Sequence, residues 1–119
     1  MSEVWPREIR LARDGRTLTV SFDDGETHAL SAEYLRTHSP SAEVQGHAPE
    51  QRKTVAGKAD VRILRAEPVG NYAVRLVFDD AHDTGIFSWT YLRKLGQEFA
   101  TRWPAYLDEL AGQGLKRSR

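Results

Sequence analysis

Three histidines and one aspartate are the residues of this chain best suited to metal binding or acid–base chemistry. His38 and His47 belong to one polar segment, and His82 and Asp83 are adjacent further along the chain. Imidazole and carboxylate groups bind zinc and transfer protons near neutral pH. If His38, His47 and His82 converge and Asp83 or Glu43 joins them, the chain is a metal-binding protein, a small-ligand-binding protein or a minor enzyme. The alternative is that each histidine bonds to backbone, to water or to a neighbouring aspartate.

The common catalytic motifs are absent from the sequence. Without cysteine, the chain has no disulfide, thiolate nucleophile or thiolate metal ligand. It contains no Gly-x-Gly-x-x-Gly, no P-loop and no Gly-x-Ser-x-Gly motif. No histidine is followed two residues later by an acid, as the facial triad of iron oxygenases requires. The paired aspartates at 23–24 and 79–80 are more typical of turns than of cation sites. The sequence therefore favours a non-catalytic protein.

The composition is that of one globular domain. Its 119 residues are 39% hydrophobic and 29% charged. The 17 basic side chains balance the 17 acidic ones, which argues against a nucleic-acid or membrane partner. No apolar run approaches the roughly 20 residues needed to cross a bilayer, and the first residues lack the apolar centre of a signal peptide. We expect a cytoplasmic protein, and its oligomeric state stays open.

Residues 18–36 and 74–93 repeat one pattern. Each stretch reads Phe-Asp-Asp, a turn, a short strand, a serine and then Tyr-Leu-Arg. The phenylalanines are 56 residues apart (78 − 22) and the tyrosines are 57 apart (91 − 34), so one inserted residue accounts for the difference. We interpret this as a duplicated unit of strand, turn, strand and short helix. Convergence on a common hairpin-then-helix pattern is the alternative.

Local signals predict the elements of each unit. Alternating apolar residues indicate strands with one buried face, and Ser31 and Ser88 stand where helix N-caps belong. These apolar residues are Leu18, Val20, Phe22, Val74, Leu76 and Phe78. The predicted fold class is α+β, with a mostly antiparallel sheet from two hairpin-plus-helix units packed against C-terminal helices.

One domain is predicted over residues 1–119, with a core at about 5–96, a helical segment at 97–113 and a frayed tail at 114–119. In the helical segment, Pro104 predicts a helix break near Trp103 and a new helix beginning around the proline. The large residues expected to cover the sheet are Trp89, Phe99, Trp103 and Leu107.

A polar loop at 38–56 comes after the first unit. Loops of this length without regular structure are usually functional or disordered, and we expect residues 45–58 to be the most mobile internal segment. The loop is the candidate surface for a protein partner, and its candidate contact residues are Gln45, Gly46, His47, Gln51, Arg52 and Lys53.

Several of these motifs together resemble a known family. They are Ile9-Arg-Leu, the Phe-Asp-Asp-Gly hairpin, Tyr34-Leu-Arg followed by Ser-Pro-Ser-Ala-Glu-Val, and the stretch from Phe78 to Leu92. They resemble the N-terminal domain of gamma-butyrobetaine hydroxylase and the small bacterial DUF971-type proteins grouped with it. The resemblance covers roughly residues 5 to 96.

The resemblance implies a zinc module in the hydroxylase-type members, where three cysteines and a histidine bind the metal. Those positions correspond here to Ser39, Ser41, Val44 and His82. Serine is a poor zinc ligand near neutral pH and valine is none, so we expect the fold without the metal and no cofactor. The oxygenase half is not expected either, because its motif is missing.

The resemblance also implies an accessory role in iron–sulfur or redox protein maturation. The sequence therefore predicts a non-catalytic binding or adaptor module with a protein partner. The alternative remains a metal- or ligand-binding protein, or a minor enzyme, that uses His38, His47 and His82.

Overall fold

The computed structural model of the chain describes residues 5–46 and 53–118. Within those ranges it contains, in order, β1 (Pro6–Leu11), β2 (Thr17–Phe22), β3 (Thr27–Ser31), α1 (Ala32–Thr37), α2 (Ala42–Gln45), β4 (Ile63–Val69), β5 (Ala73–Phe78), β6 (Gly85–Ser88), α3 (Trp89–Gln97) and α4 (Phe99–Gly112). Strands β1-β2-β3 form one antiparallel sheet, and β4-β5-β6 form a second. The predicted α+β class is confirmed. No helix in the described ranges is long and apolar enough to cross a membrane.

The central strand of each sheet supplies the core. Side chains of β2 alternate between buried and half-buried positions, as its period-two pattern predicts, whereas every residue of β5 except Arg75 is buried. Each of these large apolar side chains contributes about 1.5–3 kcal/mol through burial. The buried set is Leu18, Val20, Phe22, Val74, Leu76 and Phe78.

Each sheet ends in a capped helix, as the repeat predicts. The Ser31 hydroxyl accepts a hydrogen bond from the Tyr34 amide at 3.0 Å, and Ser88 accepts one from the Tyr91 amide at 3.1 Å. A serine oxygen satisfies one of the amides that the first helical turn leaves without a partner. The two units of the sequence repeat are therefore two copies of one structural unit: a three-stranded meander followed by a capped helix.

The two units bind each other reciprocally through tyrosine hydroxyls. Tyr34 of the first unit donates to the Leu95 carbonyl of the second at 2.6 Å, and Tyr91 donates to the His38 carbonyl at 2.6 Å. Positions 38 and 95 correspond in the repeat, since they differ by the same 57 residues as the tyrosines (95 − 38). The interface between the units therefore contains the same tyrosine-to-carbonyl hydrogen bond twice, once in each direction.

Two arginine–aspartate ion pairs connect the units in the same reciprocal way. Arg36 of the first unit binds Asp80 in the turn of the second at 2.8 Å, and Arg93 binds Asp24 in the turn of the first at 2.6 Å. The paired aspartates therefore do more than form turns. The second aspartate of each pair anchors the helix of the other unit.

The C-terminal helices differ from the prediction in where they break. The predicted break near Trp103 is wrong, because α3 ends at Gln97 and α4 begins at Phe99 and contains Pro104. The proline removes the helical donor for the Ala100 carbonyl, and both residues lie on the exposed side of α4.

Phe99 and the tail also depart from expectation. Trp89 and Trp103 pack against the core as predicted and Leu107 is half-buried, but Phe99 is 42% exposed and packs edge-to-face on Tyr34. The tail is anchored rather than frayed, since the amides of Gly57 and Ala59 donate to its carbonyls at positions 116 and 117.

The reciprocal bonds predict a matched mutational effect. Tyr34→Phe removes one donor and leaves the buried Leu95 carbonyl unpaired, so we expect a loss of about 1–2 kcal/mol in the free energy of unfolding. Tyr91→Phe should cost somewhat less, because its bond is only partly buried. Urea denaturation measures both, and Tyr72→Phe, at a 56% exposed ring, is the control expected to change little. Equal stability of all three variants would show that these bonds do not hold the units together.

Candidate functional site

A buried, hydrogen-bonded cluster occupies the positions that the resemblance assigns to the metal ligands. Ser39, Val44 and His82 are buried almost completely, and Ser41 is 8% exposed. The Ser39 hydroxyl lies 2.9 Å from Nε2 of His82, and Nδ1 of His82 lies 3.0 Å from the carboxylate of Glu43. We call Ser39, Ser41, Glu43, Val44 and His82 the corner cluster.

Local structure explains how the first unit delivers its part of the cluster. After α1, Ser41 caps the four-residue helix α2 by accepting from the Glu43 amide at 3.2 Å. The Ser41 amide donates to the Ser39 hydroxyl at 3.3 Å, and the Gln45 side chain donates to the Ser39 carbonyl at 2.9 Å. The predicted loop therefore contains a helical turn that directs Val44 inward. The polar composition of the segment gave no indication of this turn.

The second unit delivers His82 from the turn before β6. The His82 amide donates to the Asp80 carboxylate at 3.2 Å, and the His82 carbonyl accepts from the Phe78 amide at 2.9 Å. At the start of β6 a Cβ on Gly85 would lie only 2.6 Å from the Ser39 hydroxyl oxygen. The close approach of Ser39 therefore requires glycine at position 85.

The donors of this cluster do not fit a zinc ion. A structural zinc site needs four good donors in a tetrahedron. Val44 has no donor atom, both serines carry neutral hydroxyls, and the two nitrogens of His82 already face Ser39 and Glu43. No mechanistic step through zinc can be assigned to this arrangement.

The same three groups have the connectivity of a Ser-His-Glu triad without its accessibility. Glutamate binds one imidazole nitrogen and serine binds the other, as in nucleophilic hydrolases. Ser39, however, is fully buried, and its oxygen is also bonded to the Ser41 amide. A substrate carbonyl cannot reach this oxygen in the described conformation, so the cluster acts as a structural hydrogen-bond chain.

Burial favours the neutral form of the His82 imidazole. Burial lowers the pKa of His82, the positive charge of Arg36 lowers it further, and the Glu43 carboxylate opposes both. A carboxylate only accepts hydrogen bonds, so Nδ1 carries the proton and Nε2 accepts from the Ser39 hydroxyl.

Asp80 supports the cluster from the same turn. Burial opposes its ionisation, but hydrogen bonds from Lys58 and the His82 amide, together with the charge of Arg36, outweigh burial and bring the pKa of Asp80 to about 2. Lys58 lies 2.6 Å and Arg36 2.8 Å from the carboxylate. The Asp80 charge therefore persists down to strongly acidic pH.

The structure gives the other predicted ligands separate partners. Nδ1 of His38 lies 3.0 Å from the Tyr34 carbonyl, and the ring packs against Tyr34 and Tyr106. Asp83 is exposed and pairs with Arg75 at 3.7 Å. Within residues 5–46 and 53–118, no three His, Asp or Glu side chains form a group that could hold a metal ion.

Three of the six candidate partner-contact residues, Gln45, Gly46 and Lys53, lie in the described ranges. Gln45 and Gly46 end α2, and the Lys53 amide donates to the Val44 carbonyl at 2.7 Å, which closes the base of the loop. His47, Gln51 and Arg52 lie outside the described residues, as does much of the segment predicted to be most mobile.

A cleft of about 460 Å³ opens on the outer side of the corner cluster. Residues from α4 form one wall, and sequence reasoning missed them, because no pattern on α4 indicates which of its faces meets α1 and α2. The cleft is lined by Thr37, His38, Pro40, Gln45, Tyr91, Arg102, Ala105, Tyr106 and Glu109.

Comparison with known families agrees with the motifs and the fold. Residues 9–93 match the family described as gamma-butyrobetaine hydroxylase-like, N-terminal. The match covers most of the chain, and the chain belongs to this family. The family match is to the N-terminal domain of such hydroxylases and not to their oxygenase catalytic domain.

Solved structures extend the likeness beyond the matched region. Two proteins with NMR solution structures are 42% and 43% identical to the chain, cover 98% of it over 92% and 86% of their own lengths, and superpose with TM-scores of 0.83. A crystal structure of a DUF971 protein of unknown function from Acidithiobacillus ferrooxidans is 42% identical, covers 76% of this chain and 91% of its own, and has a TM-score of 0.63. No curated protein matches the chain significantly.

The lowered pKa of His82 predicts a loss of stability in mild acid. As pH falls below about 6.5, the unfolded chain takes up a proton at His82 that the folded chain does not, so the free energy of unfolding falls. The loss stops below the folded pKa. NMR titration of the His82 ring protons should give a midpoint below 6.5, and urea denaturation at pH 7.5 and 5.5 should show a smaller difference for His82→Gln than for the unsubstituted chain. A midpoint at or above 6.5 would contradict the buried neutral imidazole.

The corner cluster also predicts how the chain responds to metal. We expect it to purify without zinc and to keep its melting temperature in chelator, because valine and two hydroxyls cannot replace thiolates. The triple variant Ser39→Cys, Ser41→Cys, Val44→Cys is the positive control, expected to bind one zinc ion and to gain melting temperature from it. Stoichiometric zinc in the unsubstituted chain by elemental analysis, with unfolding on chelation, would contradict the expectation.

Proposed function

We propose that this chain is a non-catalytic protein-binding module in which hydrogen bonds replace the metal that shapes the corner in zinc-bearing relatives. The observation that carries the proposal is the buried Ser39–His82–Glu43 chain of hydrogen bonds. It ties the segment after α1 to the turn before β6, which are the two places that a metal would join. These hydrogen bonds therefore hold the two segments of the corner together without a metal.

A rigid corner suits the presentation of a surface. Its inner side packs Val44 into the protein, while its outer side contributes His38, Pro40 and Gln45 to the cleft beside α4. The Tyr91 hydroxyl bonds to the His38 carbonyl, and Tyr106 bonds to the Val55 carbonyl at 2.5 Å, so both walls of the cleft are fixed. Preorganised surfaces bind with a smaller entropic cost.

The net charge of the chain and the family resemblance both favour a protein as the partner. The balance of 17 basic and 17 acidic residues supports a protein partner over nucleic acid or an anionic membrane. An accessory role in iron–sulfur or redox protein maturation remains the pathway that the family resemblance suggests.

A small-ligand-binding protein is the second candidate, because the cleft has the volume of a ligand site. Such sites measure about 300–1,000 Å³ and combine aromatic walls with a few polar groups. The Tyr91 and Tyr106 rings with Arg102 and Glu109 match that composition. This candidate uses the cleft, not the histidine cluster predicted from sequence.

A steric variant in the cleft tests the binding proposal. Ala105 lines the cleft and is exposed, so Ala105→Arg should block it without removing a core contact. Ala100→Arg, also exposed on α4 but outside the cleft lining, is the matched control. With the tagged chain as bait in a lysate of its source cells, we expect quantitative mass spectrometry to show partners that Ala105→Arg loses and Ala100→Arg retains. Identical capture by all three chains would overturn the cleft as the binding surface.

Two activity assays test the absence of catalysis. We expect no succinate from 2-oxoglutarate with Fe(II), because no His-x-Asp/Glu pair is present. We also expect no ester hydrolysis that Ser39→Ala abolishes, because Ser39 is buried. A Ser39-dependent burst with an activated ester would show that the corner opens and that the Ser-His-Glu connectivity is catalytic.

A further inference from the structure

The carboxylate of Glu33 is buried on α1, and its counter-ion comes from the far end of the chain. The Glu33 side chain is 7% exposed. Nε and Nη2 of Arg117 donate to its two oxygens at 2.9 and 2.8 Å. This two-pronged geometry is specific to guanidinium, because the ammonium of lysine cannot present two parallel donors in one plane.

Two further groups recognise the same arginine. Its guanidinium carbon lies 5.4 Å from the centre of the Trp103 ring, within cation–π distance. The backbone amides of Gly57 and Ala59 donate to the carbonyls of Lys116 and Arg117 at 2.9 and 3.0 Å. The surroundings of Arg117 therefore contact both its side chain and the backbone of its segment, and peptide-binding sites combine affinity and specificity through these two kinds of contact.

The segment that fills this site is otherwise on the surface. Residues 113–118 are all exposed, and the Arg117 side chain itself is 50% exposed. Withdrawal of the segment costs few apolar contacts, but it removes both charge-assisted hydrogen bonds from the Glu33 carboxylate and opens that carboxylate to solvent. Another guanidinium group can then bind the same two oxygens with the same geometry.

We propose that Glu33, Trp103 and the 57–59 backbone form an arginine-binding site, which Arg117 of the same chain fills and which accepts an arginine from a surface segment of a protein partner when Arg117 withdraws. The charge of Glu33 excludes acidic segments, and the fork geometry selects arginine over lysine. This site is separate from the cleft lining tested with Ala105→Arg, so the two proposals fail independently.

Chemical rescue of Arg117→Ala tests the site in the full chain. The variant should melt at a lower temperature than the unsubstituted chain, and millimolar N-ethylguanidinium should restore part of the loss. N-ethylammonium at the same concentration should not restore it, and neither compound should stabilise the unsubstituted chain. Lys116→Ala removes the same charge from the neighbouring exposed residue and is the control expected to melt normally. If Arg117→Ala does not fold alone, the same titration is made on Arg117→Lys.

A peptide titration tests the exchange with a partner segment. The probe is acetyl-Gly-Leu-Lys-Arg-Ser-amide, which copies residues 114–118. It should bind Arg117→Ala about tenfold or more tightly than it binds the unsubstituted chain, because there the site is already filled. The same peptide with alanine in place of arginine should not bind, and Glu33→Gln combined with Arg117→Ala should abolish binding. Equal binding to the two chains, or rescue by N-ethylammonium as good as by N-ethylguanidinium, would overturn the proposal.

Discussion

Two tyrosine hydroxyls determine how the halves of this protein fit together. The carbonyls they reach, at His38 and Leu95, belong to the ends of α1 and α3, where a helix leaves its last carbonyls without intrahelical partners. Each phenol therefore satisfies a helix end of the opposite unit. Because both bonds arise from one repeated sequence pattern, the two units approach each other in a nearly two-fold arrangement, and the segments that leave α1 and α3 must pass close to the other unit's last strand.

These two close passes explain where the corner cluster lies. Just after α1, Ser39 lies against Gly85 of β6, and in the last turn of α3, Gly96 lies against His28 of β3. The positions correspond through the repeat, since 96 − 39 and 85 − 28 both equal 57. One member of each crossing pair is glycine, because a Cβ on either glycine would overlap its partner. The site implied by the resemblance is therefore one of two crossings that occupy equivalent positions in the repeat.

The crossings differ in the chain segment that comes after the helix. After α3 the chain continues directly into α4, whereas after α1 it turns through α2 and brings Glu43 to His82. At the other crossing, His28 pairs with Glu26 of its own hairpin, and Arg93 binds the same carboxylate. Both crossings therefore contain a histidine beside a glutamate, but only at the first do the histidine and the glutamate come from distant parts of the sequence. Because its histidine joins distant segments, the first crossing can fix the shape of the surface formed by the segment after α1.

The parts of the structure that sequence predicts are those that local signals determine. Alternating residues around Val20 and Val74 define strands, and Ser31 and Ser88 define helix starts, since each depends on neighbours a few positions away. The Ser39–His82 bond spans 43 residues and no local pattern reveals it; only the family resemblance places the two together. The Pro104 prediction failed because proline excludes one helical bond but does not determine which tertiary contacts compensate, and here α4 runs through it.

The environment of Glu33 is another feature that local sequence patterns do not reveal. It also explains why the C-terminal segment belongs with the rest of the domain. In the sequence it is an acidic residue in a first helical turn, which the helix dipole explains by itself. In the structure it is buried, and its counter-ion lies 84 residues away in sequence. The family match ends at residue 93, so the carboxylate lies inside the region shared with the family while Trp103 and Arg117 lie beyond it. Loss of either partner removes two charge-assisted hydrogen bonds from the other, so the acid at position 33 and the arginine at position 117 stabilise each other. An acidic residue at position 33 and an arginine at position 117 should therefore be kept or lost together among relatives that possess both segments.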